Sequence, residues 1–71
     1  MHRTTQTKAG LLEEFKVYRI SYSCDTPGPE IESGTFNGYW NGEVDTWGKL
    51  TICNSNTGDL FYLFPREIIS I

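Results

Sequence analysis

The side chains that could carry out acid–base or nucleophilic chemistry are few in this sequence. Two carboxylate pairs occur at i, i+2 spacing, Glu30 with Glu32 and Glu43 with Asp45, and on a strand each pair would lie on one face. General acid–base catalysis requires one carboxyl of such a pair to be desolvated. Both pairs lie among glycines, prolines and polar residues, and the only histidine, His2, lies in a polar segment. We therefore expect a protein that is not an enzyme.

The two cysteines, Cys24 and Cys53, are too few for a disulfide scaffold. The sequence lacks the Cys-x-x-Cys and Cys/His spacings that hold zinc, and it lacks the alternating oxygen ligands of a calcium loop. We expect two reduced thiols, no metal and no cofactor.

Aromatic side chains give the stronger indication of function, because they make up 14% of the chain, more than a small β-domain buries easily. Trp47 occurs in Asp-Thr-Trp-Gly, which predicts a turn, and turns run over the surface. An aromatic anchor beside charged residues is typical of a binding surface. We expect Trp47 to face solvent and its acidic neighbours to select a cationic or amide-rich partner. The candidate ligand-binding residues are Tyr39, Trp40, Glu43, Asp45 and Trp47.

The net charge of −3 conceals a segregation along the chain. Residues 24–48 contain five acidic residues and no Lys or Arg, namely Asp25, Glu30, Glu32, Glu43 and Asp45. Proteins bind a phosphate backbone by neutralising its charges with Lys and Arg, so this segment should repel nucleic acid. The favoured interpretation of this segment is a solvated acidic loop that aids solubility, and a dedicated partner site is the alternative. The expected partner of the chain as a whole is a protein or a small ligand.

The chain divides into a flexible polar leader at 1–8 and a single domain at 9–71. Residues 9–15 place Leu11, Leu12 and Phe15 at a spacing that predicts one or two helical turns. Residues 15–23 alternate and predict the first strand. Residues 24–34 contain two prolines and two glycines and predict a long loop.

Residues 35–44 predict a strand that bends or bulges at its two glycines, with Trp40 on one face and Tyr39 on the other. The turn would then be 45–48, whereas a competing interpretation places a hairpin turn at 41–42. Short strands follow at 49–53, 60–64 and 68–71, with Pro65 ending the fourth. In 60–64 every residue is apolar or aromatic, so one alternating set must face outward: Leu60, Tyr62 and Phe64, or Phe61 and Leu63. A second copy of the chain is the simplest cover for that set.

The order of these segments, with Gly-Thr-Phe-Asn-Gly-Tyr at 34–39, resembles the Sm-like family. The ending Leu-Phe-Pro-Arg-Glu at 63–67 followed by Ile-Ile-Ser-Ile is similar to the end of SH3 domains, where a Phe-Pro pair precedes a 3₁₀ turn and a last strand. The resemblance implies a small β-barrel. The basic pair with which Sm-like proteins bind RNA is replaced here by Phe64-Pro65, and the groove tyrosine of SH3 domains by Ile68.

The expected fold is all-β: a five-stranded SH3-like or Sm-like barrel with a short N-terminal helix. The expected function is that of a cytoplasmic binding module, homo-oligomeric and without a membrane segment. Two alternatives are an RNA-binding Sm-like ring and a small inhibitor or sequestering protein of a phage or mobile element.

Overall fold

The computed structural model describes residues 3–24 and 33–71. His2 and the carboxylate pair Glu30 and Glu32 lie outside the described residues, as does most of the predicted long loop. Within the described part, all regular elements are strands apart from one 3₁₀ turn. The all-β class is therefore confirmed.

In the described residues, seven strands form two antiparallel sheets. The first sheet pairs β1 with β2, and the second has the order β6-β5-β4-β3-β7; neither closes into a barrel among the described residues. The bounds are β1 Thr4–Thr7, β2 Gly10–Glu13, β3 Tyr18–Ser23, β4 Ser33–Val44, β5 Leu50–Asn54, β6 Leu60–Leu63, the 3₁₀ turn Pro65–Glu67 and β7 Ile68–Ser70.

The N-terminal helix predicted at 9–15 is wrong, because this segment supplies the second strand of a hairpin. Thr7 pairs with Gly10, and the Thr7 hydroxyl donates to the Gly10 carbonyl at 2.7 Å while it accepts from the Ala9 amide at 3.1 Å. Consecutive leucines then point in opposite directions, as a strand requires: Leu12 is fully buried and Leu11 is exposed. Residues 4–7 form β1, so the predicted flexible leader at 1–8 is wrong for this part.

The hairpin is anchored to β4 through its two ends. The Arg3 guanidinium donates to the Gly42 carbonyl at 3.1 Å, and the Arg3 amide donates to the Glu14 carboxylate at 2.8 Å. The Phe15 amide donates to the Trp40 carbonyl at 2.8 Å. Gly42 has a φ of +87°, and a Cβ there would meet the Glu14 carboxylate. This site therefore favours glycine both by backbone conformation and by space.

Strand β4 is one long bent strand, as the sequence predicted in preference to a hairpin turn at 41–42. Its first half pairs with β3 from Ser33 to Gly38, and its second half pairs with β5 from Gly38 onward. A bulge interrupts the second pairing between Trp40 and Val44. The turn that follows lies at 45–49, where the Asp45 amide donates to the Lys49 carbonyl at 2.9 Å.

The core lies between the hairpin and one face of the five-stranded sheet. It buries residues from six strands: Leu12, Ile20, Trp40, Leu50, Ile52, Leu63 and Ile68. Three rings extend it, with Phe36 stacked on Phe61 at 4.6 Å between centroids and Tyr22 packed against both. These contacts draw together β3, β4 and β6, which are not all neighbours in the sheet.

The two edges of the five-stranded sheet are β6 and β7, which are consecutive along the chain and joined through the 3₁₀ turn. In the turn, the Phe64 amide donates to the Glu67 carboxylate at 2.7 Å and the Glu67 amide donates to the Phe64 carbonyl at 2.9 Å. Pro65 ends β6 as predicted. In the part of the chain that the structure describes, no helix has the length and apolar character needed to cross a bilayer.

Candidate functional site

The turn between β4 and β5 holds Trp47 in a fixed, exposed position. One carboxylate oxygen of Asp45 accepts hydrogen bonds from the Trp47 amide at 2.9 Å and from the Lys49 amide at 2.8 Å. Gly48 completes the turn with a φ of +90°. The Trp47 side chain is 77% exposed, as the sequence predicted. A large ring is thus presented to solvent by backbone that is itself hydrogen-bonded.

Trp47 lines an open cavity of about 440 Å³ together with Lys49 and Phe64. The Lys49 ammonium lies 5.2 Å from the centre of the Phe64 ring, and the Arg66 guanidinium carbon lies 4.2 Å from it. Both distances fall in the range of cation–π contacts. We call these four residues the Trp47 surface: Trp47, Lys49, Phe64 and Arg66.

Two of the predicted site residues have structural contacts. Trp40 is 2% exposed and belongs to the core, so its ring does not lie on the surface with Trp47. Its indole N–H donates to the Glu43 carbonyl at 2.9 Å, which satisfies the one polar group of the buried ring. One oxygen of the Asp45 carboxylate, Oδ1, accepts from two amides of its own turn and so helps to fix Trp47. The Glu43 residue is exposed.

Basic side chains lie beside Trp47 together with its expected acidic neighbour Asp45. The side chains that line the cavity with Trp47 are a lysine and a phenylalanine, and an arginine covers the same phenylalanine ring. Lys49, Phe64 and Arg66 were not among the predicted site residues. Their proximity follows from the pairing of Leu50 with Leu63, which sets Lys49 opposite Phe64. In the sequence, this pairing is indicated only by the turn residues between β5 and β6, which predict that the two strands form a hairpin.

Tyr39 lies away from the Trp47 surface, on the outer face of the five-stranded sheet. Its ring contacts Phe15, with centroids 6.1 Å apart. Phe15 has a φ of +60° and its side chain is 65% exposed. Cys53 is the direct neighbour of Tyr39 on β5, and hydrogen bonding with the Cys53 side chain raises the pKa of the Tyr39 hydroxyl above its ordinary value.

The outer face continues from Tyr39 to the free edge of the sheet. Cys53 pairs with Leu60, and Thr51 pairs with Tyr62. Leu60 and Tyr62 are about half exposed, whereas Phe61 and Leu63 point to the core side. The outward set of β6 therefore includes Leu60 and Tyr62. We call the apolar row on this face the outer strip: Phe15, Tyr39, Leu60 and Tyr62.

Two further cavities have polar linings. One, of about 420 Å³, is lined by Lys8, Ser23, Arg66, Glu67 and Ile69. The other cavity, of about 290 Å³, lies at the end of β5 that is farther from Trp47. Its lining is mainly polar and consists of Arg19, Thr35, Phe36, Asn37, Asn54, Asn56 and Thr57. Neither has an exposed large ring, so the Trp47 surface is the best candidate binding site.

The described residues contain no group of three or more His, Cys, Asp or Glu side chains that could hold a metal ion. Cys24 and Cys53 form no disulfide with each other. No protein-family model, no curated protein and no solved structure matches this chain.

Proposed function

We propose that this protein is a non-enzymatic, cytoplasmic binding module that self-associates and captures a protein or small ligand through the Trp47 surface. The observation that carries the proposal is the exposure of Trp47 on a turn whose backbone is fixed by Asp45. Leaving a large ring in water is unfavourable unless a partner covers it, and rigid aromatic anchors are characteristic of binding hot spots.

The finer fold proposed for this module is an SH3-like or Sm-like barrel. Three features support it: β3 to β6 form a meander in which each strand pairs with the next, β7 returns to pair with β3, and Phe64-Pro65 leads into a 3₁₀ turn before β7. RNA binding by an Sm-like ring is the less favoured function. A phosphate backbone requires several cations on one surface, and the Trp47 surface has two.

Self-association is proposed through the outer strip and the neighbouring edge of β6. Phe15, Leu60 and Tyr62 each expose about half or more of their side chain, which amounts to roughly 300 Å² of apolar surface for side chains of this size. A stable dimer buries about 800 Å² on each partner. The strip alone is therefore too small, and the unpaired backbone of β6 must contribute to the contact.

The self-association proposal is tested by placing a charge on the outer strip. Tyr62→Lys should give a folded monomer where the wild type sediments as an oligomer at about 50 µM, a concentration suited to weak association. Leu11→Lys is the matched control, because Leu11 is exposed to the same extent as Tyr62, 54% against 53%, but lies on the β1–β2 hairpin. A wild-type protein that sediments as a monomer contradicts the proposal, as does an equal effect of the two variants.

The capture proposal is tested by native mass spectrometry of the protein purified from its own host. The wild type should carry a bound protein or small ligand that Trp47→Ala loses, while circular dichroism shows that the variant is folded. Val44→Ala is the matched control, because Val44 is also exposed and ends β4 directly before the same turn, outside the cavity lining. Equal occupancy in wild type and Trp47→Ala would place the binding site elsewhere.

A further inference from the structure

The charge of the Trp47 surface indicates the chemistry of its partner. Within the described residues the only ion pair joins Lys16 to Glu13. No carboxylate of that part of the chain therefore lies within 4.0 Å of the Lys49 ammonium or the Arg66 guanidinium. Both cations lie over the same Phe64 ring, so two positive charges without a direct ion pair flank an apolar ring.

The carboxylates closest in sequence are bound to backbone amides. Asp45 accepts from the Trp47 and Lys49 amides, and Glu67 accepts from the Phe64 amide. Hydrogen bonds of this kind hold a carboxylate against the backbone that it caps. Neither carboxylate is part of the cavity lining, which consists of Trp47, Lys49 and Phe64. An anionic group that enters the cavity therefore meets the Lys49 ammonium, while Arg66 lies over the same Phe64 ring.

We propose that the Trp47 surface binds an acidic peptide segment of a protein partner, an inference that rests on the proposed function. An apolar side chain of the segment lies between Trp47 and Phe64, and Asp or Glu residues beside it pair with Lys49 and Arg66. The cavity of about 440 Å³ is large enough for one such side chain. The apolar contact supplies affinity, and the charge complementarity supplies selectivity and orientation.

A peptide suits this surface better than a nucleic acid does. Specific and non-specific binding to a phosphate backbone depends on many Lys and Arg contacts, each of which releases counterions. The Trp47 surface has two cations, the chain has a net charge of −3, and residues 24–48 contribute five acidic side chains and no basic one. A long polyanion would meet repulsion beyond the two cations, whereas a short acidic segment would not.

The proposal is tested with fluorotryptophan-labelled protein and three short synthetic peptides. Each peptide has a central Leu-Phe pair, flanked by Asp and Glu, by Lys and Arg, or by Ser and Asn. The two tryptophans give separate fluorine signals, because Trp47 is exposed and Trp40 is buried, and Trp47→Phe assigns them. We expect the acidic peptide to shift the Trp47 signal with little effect on Trp40, and the basic peptide to bind at least about five-fold more weakly.

Charge reversal separates a local pairing from the effect of net charge. Lys49→Glu should weaken the acidic peptide by about five- to ten-fold and strengthen the basic one. Arg19→Glu makes the same change in net charge on a different surface, and screening should keep its effect below about two-fold at physiological salt. Equal effects of the two variants would contradict a pairing at Lys49.

The outcomes distinguish this inference from the proposed function. If the basic or neutral peptide binds at Trp47 as tightly as the acidic one, the acidic-partner inference is wrong and the Trp47 surface remains a binding site. A single-stranded oligonucleotide that shifts the Trp47 signal at lower concentration than the acidic peptide also overturns it. If no peptide moves that signal at millimolar concentration, the inference is wrong, and unchanged host-ligand occupancy in Trp47→Ala would show that the proposed function is wrong too.

Discussion

The two tryptophans of this chain should contribute very differently to its stability. Trp47 is 77% exposed, so Trp47→Ala removes only about 60 Å² of buried apolar surface, or at most about 1.5 kcal/mol. Trp40 is 2% exposed, and even Trp40→Phe leaves a cavity and removes the hydrogen bond to the Glu43 carbonyl, which together cost about 2 kcal/mol. Small domains of this length have about 5 kcal/mol in total.

The free energy of unfolding of each variant is measured by urea titration followed by circular dichroism. Phenylalanine at both positions gives the matched comparison. Trp47→Phe should change the free energy of unfolding by less than about 0.5 kcal/mol, whereas Trp40→Phe should lower it by about 2 kcal/mol. In thermal unfolding the Trp40→Phe loss corresponds to a melting temperature about 8–16 °C lower, from 4–8 °C for each kcal/mol. If Trp47→Phe costs as much as Trp40→Phe, Trp47 is part of the core. The proposed binding role of the Trp47 surface would then be wrong.

Three further predictions concern single positions. Gly42→Ala should destabilise the protein by about 2 kcal/mol or more, because it combines a positive φ with a clash against the Glu14 carboxylate. Gly58→Ala is the control, because Gly58 has a φ of +79° but open space around it, and it should cost only about 1 kcal/mol. Equal costs of the two variants in chemical denaturation would show that the clash does not contribute. Asp45→Ala should lower stability by about 1–2 kcal/mol, because two turn amides lose their acceptor; a loss below about 0.5 kcal/mol would show that the cap is unimportant. In Cys53→Ala the hydroxyl of Tyr39 should ionise at lower pH than in the wild type, because the Cys53 thiol raises the pKa of that hydroxyl. Carbon NMR of the Tyr39 ring during a pH titration measures the midpoint of ionisation. An unchanged midpoint would show that the thiol is not the cause.

The five strands of the main sheet could be predicted from the sequence because their signals are local. Alternation identified β3, and two glycines with no polar turn cluster identified β4 as one bent strand. The β1–β2 hairpin, which the sequence did not predict, lacked such a local signal. The spacing of Leu11, Leu12 and Phe15 is compatible with one face of a helix. It is equally compatible with a strand in which Leu11 and Leu12 point in opposite directions. Only the pairing with β1 decides between the two structures.

The candidate site could be predicted only where its geometry is local. The exposure of Trp47 follows from a turn of five residues, so the sequence was sufficient. The complete burial of Trp40 depends on β2, β5 and the hairpin anchors as well as on its place in β4, so the sequence alone could not give its extent. The cations of the Trp47 surface required the register of β5 with β6 and the course of the 3₁₀ turn.

The short connection between β6 and β7 determines the shape of the sheet. Five flat strands would separate the two edges by about 19 Å, from four spacings of about 4.8 Å. The chain from Leu63 to Ile68, with three of its residues in a 3₁₀ turn, spans only about 13 Å. The sheet must therefore coil until its edges come within reach of this connection.

Coiling makes the outer face convex. The side chains of neighbouring strands diverge on a convex surface, so two copies placed face to face would touch along a narrow line. A concave partner, or a lateral contact that continues the curvature past β6, would cover the outer strip more completely. The length of a three-residue turn thus limits the shapes of the assemblies that this protein can form.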